Sequence, residues 1–212
     1  MLYIISTPIG NLKDITLRAV ETLEQLDILL CEDTRKTGLL LQNLKIANKP
    51  KLVSFYDEVE RQKIPQVMEW LREGLEVGLV TDAGTPLISD PGWLLVKKCH
   101  DEGVKYTALP GASAVINALV LSGLPVARFC FLGFLPKKEG DIKKLLEKYK
   151  DFEGVKVVYD SPLRVEKSIK IIQEVNGDNT DVRIVREMTK MYESVDREFG
   201  GDTRGEVVIV FI

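Results

Sequence analysis

Short runs of consecutive apolar residues alternate with amphipathic stretches through the first half of the chain. LYIIS (2–6), ILLC (28–31), LVSF (52–55), VGLVT (77–81) and VKYTAL (104–109) predict strands. Their unbroken apolar positions suit strands covered on both faces. Between them, DITLRAVETLEQL sets Leu17, Val20, Leu23 and Leu26 on one helical stripe, with Asp14 or Thr16 as the cap. IPQVMEWLREG predicts a helix from about Pro65 to Gly74, and PGWLLVKKCHDEG one from beyond Pro91 to Gly103. Five strands joined by helices make a parallel α/β sheet.

The rhythm then changes. A helix is predicted from about Ala112 to Leu121, followed by strands ARFCFLGF (127–134), VKVVYD (155–160), DVRIVRE (181–187) and GEVVIVFI (205–212). Between Met188 and Arg204 the chain is polar with two adjacent glycines, which suits a hairpin and a mixed sheet. The change falls near LPGASA (109–114) and divides the chain into an N-terminal α/β domain, residues 1–110, and a C-terminal α/β domain, residues 111–212.

Composition narrows the class only slightly. The 212 residues are 45% hydrophobic and 29% charged, ordinary values for a globular protein. A net charge of -3 argues against nucleic-acid binding through global charge and leaves a local basic patch open. Cys31, Cys99 and Cys130 show no CxxC spacing, so each reads as a small apolar residue in a reducing compartment. No metal site is expected, because zinc needs four clustered ligands and the chain has the single histidine His100. MLYIIS is too short for a signal peptide and no apolar run reaches membrane-spanning length, so the expectation is a soluble cytoplasmic protein.

The chemistry concentrates in loops after strands. In open α/β sheets ligands bind at the C-terminal strand ends, and TPIGN (7–11), CEDTR (31–35), DAGTPLISDPG (82–92), PGASA (110–114) and YDSP (159–162) all fall there. Asp33 or Thr34 reads equally as the cap of a helix starting near Lys36. The loop at 82–92 resists so plain an account, since one helix cap needs one carboxylate and both Asp82 and Asp90 are present. No GxGxxG follows the first strand and no Walker P-loop occurs, so a ligand held mainly by its phosphates is disfavoured.

Taken in order, TPIGNLKDITLRA (7–19), CEDTR, VTDAGTPLISDPG (80–92), LPGASA, FLGFLPKK (131–138), YDSPLR (159–164), REMTK (186–190) and GEVVI (205–209) resemble a known family. It is that of ribosomal RNA small subunit methyltransferase I, in the tetrapyrrole methylase superfamily of S-adenosylmethionine-dependent enzymes. The resemblance implies two α/β domains with the cofactor in the cleft between them, a homodimer, and methyl transfer to the ribose 2′-oxygen of a cytidine in 16S rRNA. It further implies cofactor contacts at Asp82, Gly84, Thr85, Pro86 and Ile88 in the central loop, and at Ser113 and Ala114. Asp160, Ser161, Met188, Gly205 and Glu206 match more distant contacts, and Pro8 and Gly10 match the first loop. Leu163 stands in YDSPLR where the family often has a polar residue.

A ribose hydroxyl becomes nucleophilic as its proton is accepted. Glu32, Asp33 and Glu187 are the carboxylate candidates, with Lys190 a further one if burial lowers its pKa. Arg35 is suited to a phosphate, and CEDTR reads equally as a structural ion pair at a strand end. The lysine-rich segment 136–150 is either a solvated helix or a face for the 16S rRNA or small ribosomal subunit. Two other functions stay open: a precorrin or uroporphyrinogen methylase, which would share the fold and cofactor but usually has a Gly-Asp-Pro version of the central loop, and a non-catalytic S-adenosylmethionine-binding module.

Overall fold

A computed structural model describes all residues, Met1–Ile212, as two compact units, Met1–Ser113 and Ala114–Ile212. The first unit contains β1 (Leu2–Ile5), α1 (Leu17–Leu23), β2 (Ile28–Cys31), α2 (Thr34–Asn43), β3 (Lys51–Ser54), α3 (Asp57–Arg72), β4 (Val77–Leu79), α4 (Trp93–Asp101) and β5 (Tyr106–Leu109). Its sheet runs in the order β3-β2-β4-β1-β5, with every pairing parallel. The apolar runs alternate between two cores. Ile4, Ile28 and Leu30 pack with Val67, Met68 and Leu95 from α3 and α4. Ile5, Leu29 and Cys31 pack with Ala19, Leu23 and Leu41 from α1 and α2. Both sheet faces are therefore covered, which is why the strands read as continuous apolar runs.

The second unit contains α5 (Ala114–Ser122), β6 (Phe129–Phe134), α6 (Glu139–Lys148), β7 (Val155–Asp160), α7 (Val165–Asn176), β8 (Val182–Arg186), β9 (Ser194–Asp196) and β10 (Val207–Phe211). Its order is β6-β7-β10-β8-β9. β6 and β7 are parallel, while β10 runs antiparallel to both β7 and β8, and β9 folds back on β8. This is the expected mixed sheet with its hairpin. α5 packs on β8 and β10, while Ile142, Leu146, Ile171 and Ile172 from α6 and α7 join Val158, Ile184 and Ile209 in one core. No helix is long and apolar enough to cross a membrane.

Three local expectations need correction, and two elements went unread. The helix expected to begin at Pro65 starts at Asp57 and carries Pro65 inside it. Pro65 lies on the exposed face, where solvent can satisfy the carbonyl its missing N–H leaves free. Leu17 is 82% exposed, and Ala19 takes its place on the buried stripe. α2 begins at Thr34 rather than near Lys36. α7 was not expected although Val165, Ser168, Ile171, Ile172 and Val175 fall at helical spacing and are all buried, whereas the three-residue β9 is too short to carry a pattern and is defined by its pairing with β8.

The cap of α4 comes from another helix. Gly92 has no side chain to cap with, and the buried Glu60 of α3 instead accepts from the Gly92 N–H at 3.1 Å and the Leu95 N–H at 3.3 Å. Glu60→Gln keeps an acceptor there, whereas Glu60→Ala strands both buried donors. Urea unfolding should show Glu60→Ala less stable by about 1–3 kcal/mol and Glu60→Gln much closer to wild type.

Candidate active site

The loops after β1, β2, β4 and β5 all leave the C-terminal edge of the first sheet, as parallel strands require. Short polar side chains tie them together. Thr7 and Gly84 exchange backbone hydrogen bonds of 2.9 and 3.0 Å in an isolated antiparallel bridge. Thr7 Oγ1 donates to the Thr81 carbonyl at 3.1 Å. Thr85 Oγ1 lies 3.1 Å from Ser6 Oγ and donates to the Ala112 carbonyl at 2.9 Å. Ser6, Thr7 and Thr81 are buried, so these bonds replace water on groups that would otherwise be left unsatisfied.

Within the central loop, Asp82 and Ile88 are exposed, Thr85 is half-buried, and Gly84 and Pro86 are buried. The backbone N–H and carbonyl of Gly84 both bond Thr7. The expectation that Gly84 offers its backbone to a ligand is therefore corrected: this residue closes the loop against the first strand. Leu87 and Ser89 hold left-handed backbone, with φ of 73° and 69°. For side chains other than glycine such conformations cost about 1–3 kcal/mol and gather at functional sites. On the first loop, Pro8 is half-buried and Gly10 exposed.

Carboxylates crowd this edge. Glu32 Oε1 accepts from the Thr81 hydroxyl and from the Asp82 N–H at 3.3 Å. Asp82 forms an ion pair with Lys36 at 2.6 Å. Asp90 is half-buried. Burial is the largest influence on it and, with the charges of Glu32, Asp57 and Asp82, outweighs a hydrogen bond with Thr81, so its carboxyl is pushed up to about 6.

Asp33 has a different environment. It caps α2 by accepting from the Arg35 N–H at 2.9 Å and grips the Arg35 guanidinium at 3.1 and 2.7 Å. The side-chain hydrogen bonds from Arg35, then its backbone N–H, hold the Asp33 carboxyl well below the usual carboxylate range. A carboxylate so stabilised is a poor proton acceptor, so of the two readings of Asp33 the geometry favours helix cap and ion-pair partner over base. Glu32 is the acid of CEDTR that turns to the central loop.

In the second unit, the Asp160 side chain is fully buried and held by Arg164 and by Ser168 Oγ, the latter at 2.5 Å. Its carboxylate faces the interior and is taken up by these partners, which leaves the backbone of Asp160 as the part of the residue that a ligand could meet. Ser161 stays half-buried at the end of β7, and Ser113 and Ala114 are half-buried where α5 begins. Met188 is buried between Glu187 and Thr189, whose φ angles are 47° and 65°. Glu187 Oε1 accepts from the Glu206 N–H at 2.8 Å and from Lys190 Nζ at 3.1 Å, and Glu206 also pairs with Lys190 at 3.0 Å. Gly205, at φ 81°, has no Cβ to overlap the Glu187 carboxylate. Burial pulls the Lys190 pKa down, yet the hydrogen bonds to Glu206 and Glu187 outweigh it and leave the lysine above its ordinary value. Glu187 is held low, first by the Glu206 N–H. Neither is a neutral-pH base, so Lys190 is corrected too.

The structure adds two residues to those read from the chain. Asp90 was visible as the surplus carboxylate of its loop, but the groups that act on it come from the ends of β2 and β4 and from α3. Glu60 carried no local signal, since its partners lie 32 and 35 residues away.

Against known proteins, residues 1–199 match the family model for Tetrapyrrole (Corrin/Porphyrin) Methylases. The chain is 41% identical over 221 residues to ribosomal RNA small subunit methyltransferase I of Haemophilus influenzae, covering 99% of this chain and 77% of that one. It is 42% identical over 196 residues to the protein of the same name from Thermotoga maritima, covering 92% of this chain and 86% of that one. Among solved structures it is similar to uroporphyrin-III-C-methyltransferase from Thermus thermophilus, with a TM-score of 0.66, 18% identity, and coverage of 99% of this chain and 93% of the other. At that identity the structural likeness speaks for the fold alone, whereas the family match and the two sequence relatives extend over almost the whole chain. The chain belongs to the tetrapyrrole methylase family, alongside the relatives named ribosomal RNA small subunit methyltransferase I.

Proposed function

We propose that this chain is an S-adenosylmethionine-dependent methyltransferase that modifies the ribose 2′-oxygen of a cytidine in 16S rRNA. On this reading it works in the cytoplasm, as a homodimer, on the rRNA or the small ribosomal subunit. The observation that carries it is identity of about 41–42% to relatives named for small-subunit rRNA methylation, across nearly the full chain. The loop chemistry agrees with such a cofactor. A ligand bearing a sulfonium and an ammonium suits an edge rich in carboxylates and free of a phosphate cradle. When bound, the cofactor supplies an electrophilic methyl group.

The residues that would hold it are Asp82, Thr85 and Ile88 on the central loop, with Pro8 and Gly10 beside them and Ser113 and Ala114 at the start of α5. Gly84 and Pro86 shape that loop from within. Residues 1–110 are then the substrate-side domain with the central loop, and in residues 111–212 the family resemblance singles out Ser161, Met188 and the Gly205–Glu206 turn. Glu32 and Asp90 are the proton acceptors best placed for a ribose hydroxyl, because they share Thr81 and neither is gripped by a cation. Arg35 could take a phosphate only by giving up part of its hold on Asp33.

Labelled methyl groups supplied from S-adenosylmethionine should enter undermethylated small subunits and leave uroporphyrinogen III unlabelled. The reverse pattern would return the chain to the tetrapyrrole methylases in activity as well as family, and binding without transfer to either would make it a cofactor-binding module.

The pH dependence follows from Asp90. Its ionised form prevails only above about pH 6, so turnover should rise as pH passes through that value. Asp90→Asn should remove this limb and lower turnover by roughly a hundredfold or more. The same carboxylate opposes folding when ionised, because its folded pKa lies above the unfolded value of about 4. Thermal melts should therefore show Asp90→Asn more stable than wild type above about pH 6 and indistinguishable below about pH 4.

Lys143 is already paired with Glu139 and Glu174, whereas Lys137, Lys138 and Lys144, in the first part of the lysine-rich segment, have no acidic partner. Charge reversal at these three should weaken RNA binding and flatten its salt dependence, by roughly 0.7 in the logarithmic slope for each phosphate no longer neutralised. Calorimetry should find cofactor affinity unchanged.

A further inference from the structure

β6 is an edge strand with a built irregularity. Its pairing with β7 runs from Phe131 opposite Val157 to Phe134 opposite Tyr159, so one extra residue is accommodated on β6. Gly133 supplies the left-handed backbone, at φ 74°, that this bulge requires. In a regular strand Phe131 and Phe134, three residues apart, would point to opposite faces. The bulge brings both to one tyrosine instead. Phe131 meets Tyr159 edge-on at 4.8 Å between ring centres, and Phe134 does so at 5.1 Å.

Phe134 nevertheless remains 63% exposed. Burying such a ring would be worth about 2 kcal/mol, so a bulge that turns it outward is not explained by packing. The next residues are held as firmly. Leu135 N–H bonds the Tyr159 carbonyl at 2.9 Å, and Arg164 donates to the carbonyls of Leu135 and Pro136 at 3.2 and 3.0 Å. Lys137 and Lys138 follow, both exposed. The nearest acid in sequence, Glu139, is already neutralised by Lys143 and Lys167. Lysines at this end of α6 also oppose the helix dipole, so the fold gains nothing from them.

We propose that Phe134, backed by Tyr159, is a stacking platform for an unpaired nucleobase of the substrate RNA, with Lys137 and Lys138 contacting the adjoining phosphates. This rests on the RNA reading above and names where part of the RNA docks. A rigid, outward aromatic ring beside unpaired cations is the pairing that single-stranded nucleic acid selects, since every base offers a π face and every linkage a negative charge.

The test is filter binding of the full chain to protein-free 16S rRNA over a range of salt. Phe134→Trp should bind as wild type does, while Phe134→Leu and Phe134→Ala should each bind roughly tenfold more weakly. The salt slope should be the same in all four proteins, because the lysines that meet the phosphates are unchanged. RNA should also quench the fluorescence of the Phe134→Trp variant beyond the change seen in wild type. If Phe134→Leu binds as tightly as wild type, apolar contact suffices and the platform is overturned. If Phe134→Ala keeps its RNA affinity but shifts from dimer to monomer on a sizing column, the ring belongs to an interface between copies. Wild type that fails to bind RNA at low salt would sink the RNA reading itself, and the platform with it.

Discussion

Three threonine hydroxyls hold the loop after β4 to the ends of its neighbours, and the candidate site depends on that attachment. Thr7 reaches the Thr81 carbonyl, Thr81 reaches Glu32, and Thr85 reaches Ala112. Each such bond contributes only about 1 kcal/mol net. Their effect on geometry is larger, because they fix a loop with two strained non-glycine residues in a single conformation. Glu60 restrains the far end of the same loop through the first N–H groups of α4. A loop restrained at both ends can keep its carboxylates where solvent would otherwise separate them.

That confinement creates the electrostatics. Glu32, Asp57, Asp82 and Asp90 repel one another, and only Asp82 has a lysine partner. The cost appears on Asp90, whose carboxyl is raised by burial and by its acidic neighbours. An unpaired, half-buried carboxylate weakens the fold and serves a site that must receive a cation or a proton. Asp33 shows the opposite outcome. It lies on the same edge, two residues from an arginine that neutralises it, and so becomes structural. Proximity to a site does not make a base; an uncompensated charge does.

The second unit applies similar restraint with a different pairing scheme. An antiparallel β10 between β7 and β8 brings the Gly205–Glu206 turn against Glu187. In the resulting group one lysine, Lys190, is shared by the carboxylates of Glu187 and Glu206, and it stays protonated. The exposed features of this unit are aromatic and basic instead, at Phe134 and the lysines that follow it.

Local patterning determined the fold class and the positions of the loops. Unbroken apolar runs mark strands covered on both faces, and turn-formers placed directly after them mark the edge where ligands gather. The string of motifs from TPIG to GEVVI pointed to the family for a related reason, since most of its members record backbone turns written in glycine and proline directly after strands. Roles within that edge were decided by tertiary structure. Whether a carboxylate is a base, a cap or an ion-pair partner depends on the groups that fold against it, such as Thr81 for Glu32 or Ser168 and Arg164 for Asp160. The start of α3 upstream of Pro65, the inward turn of Asp160 and the outward turn of Phe134 all follow from burial and strand register. A one-residue bulge or one buried partner reverses the direction of a side chain without altering the pattern of the chain.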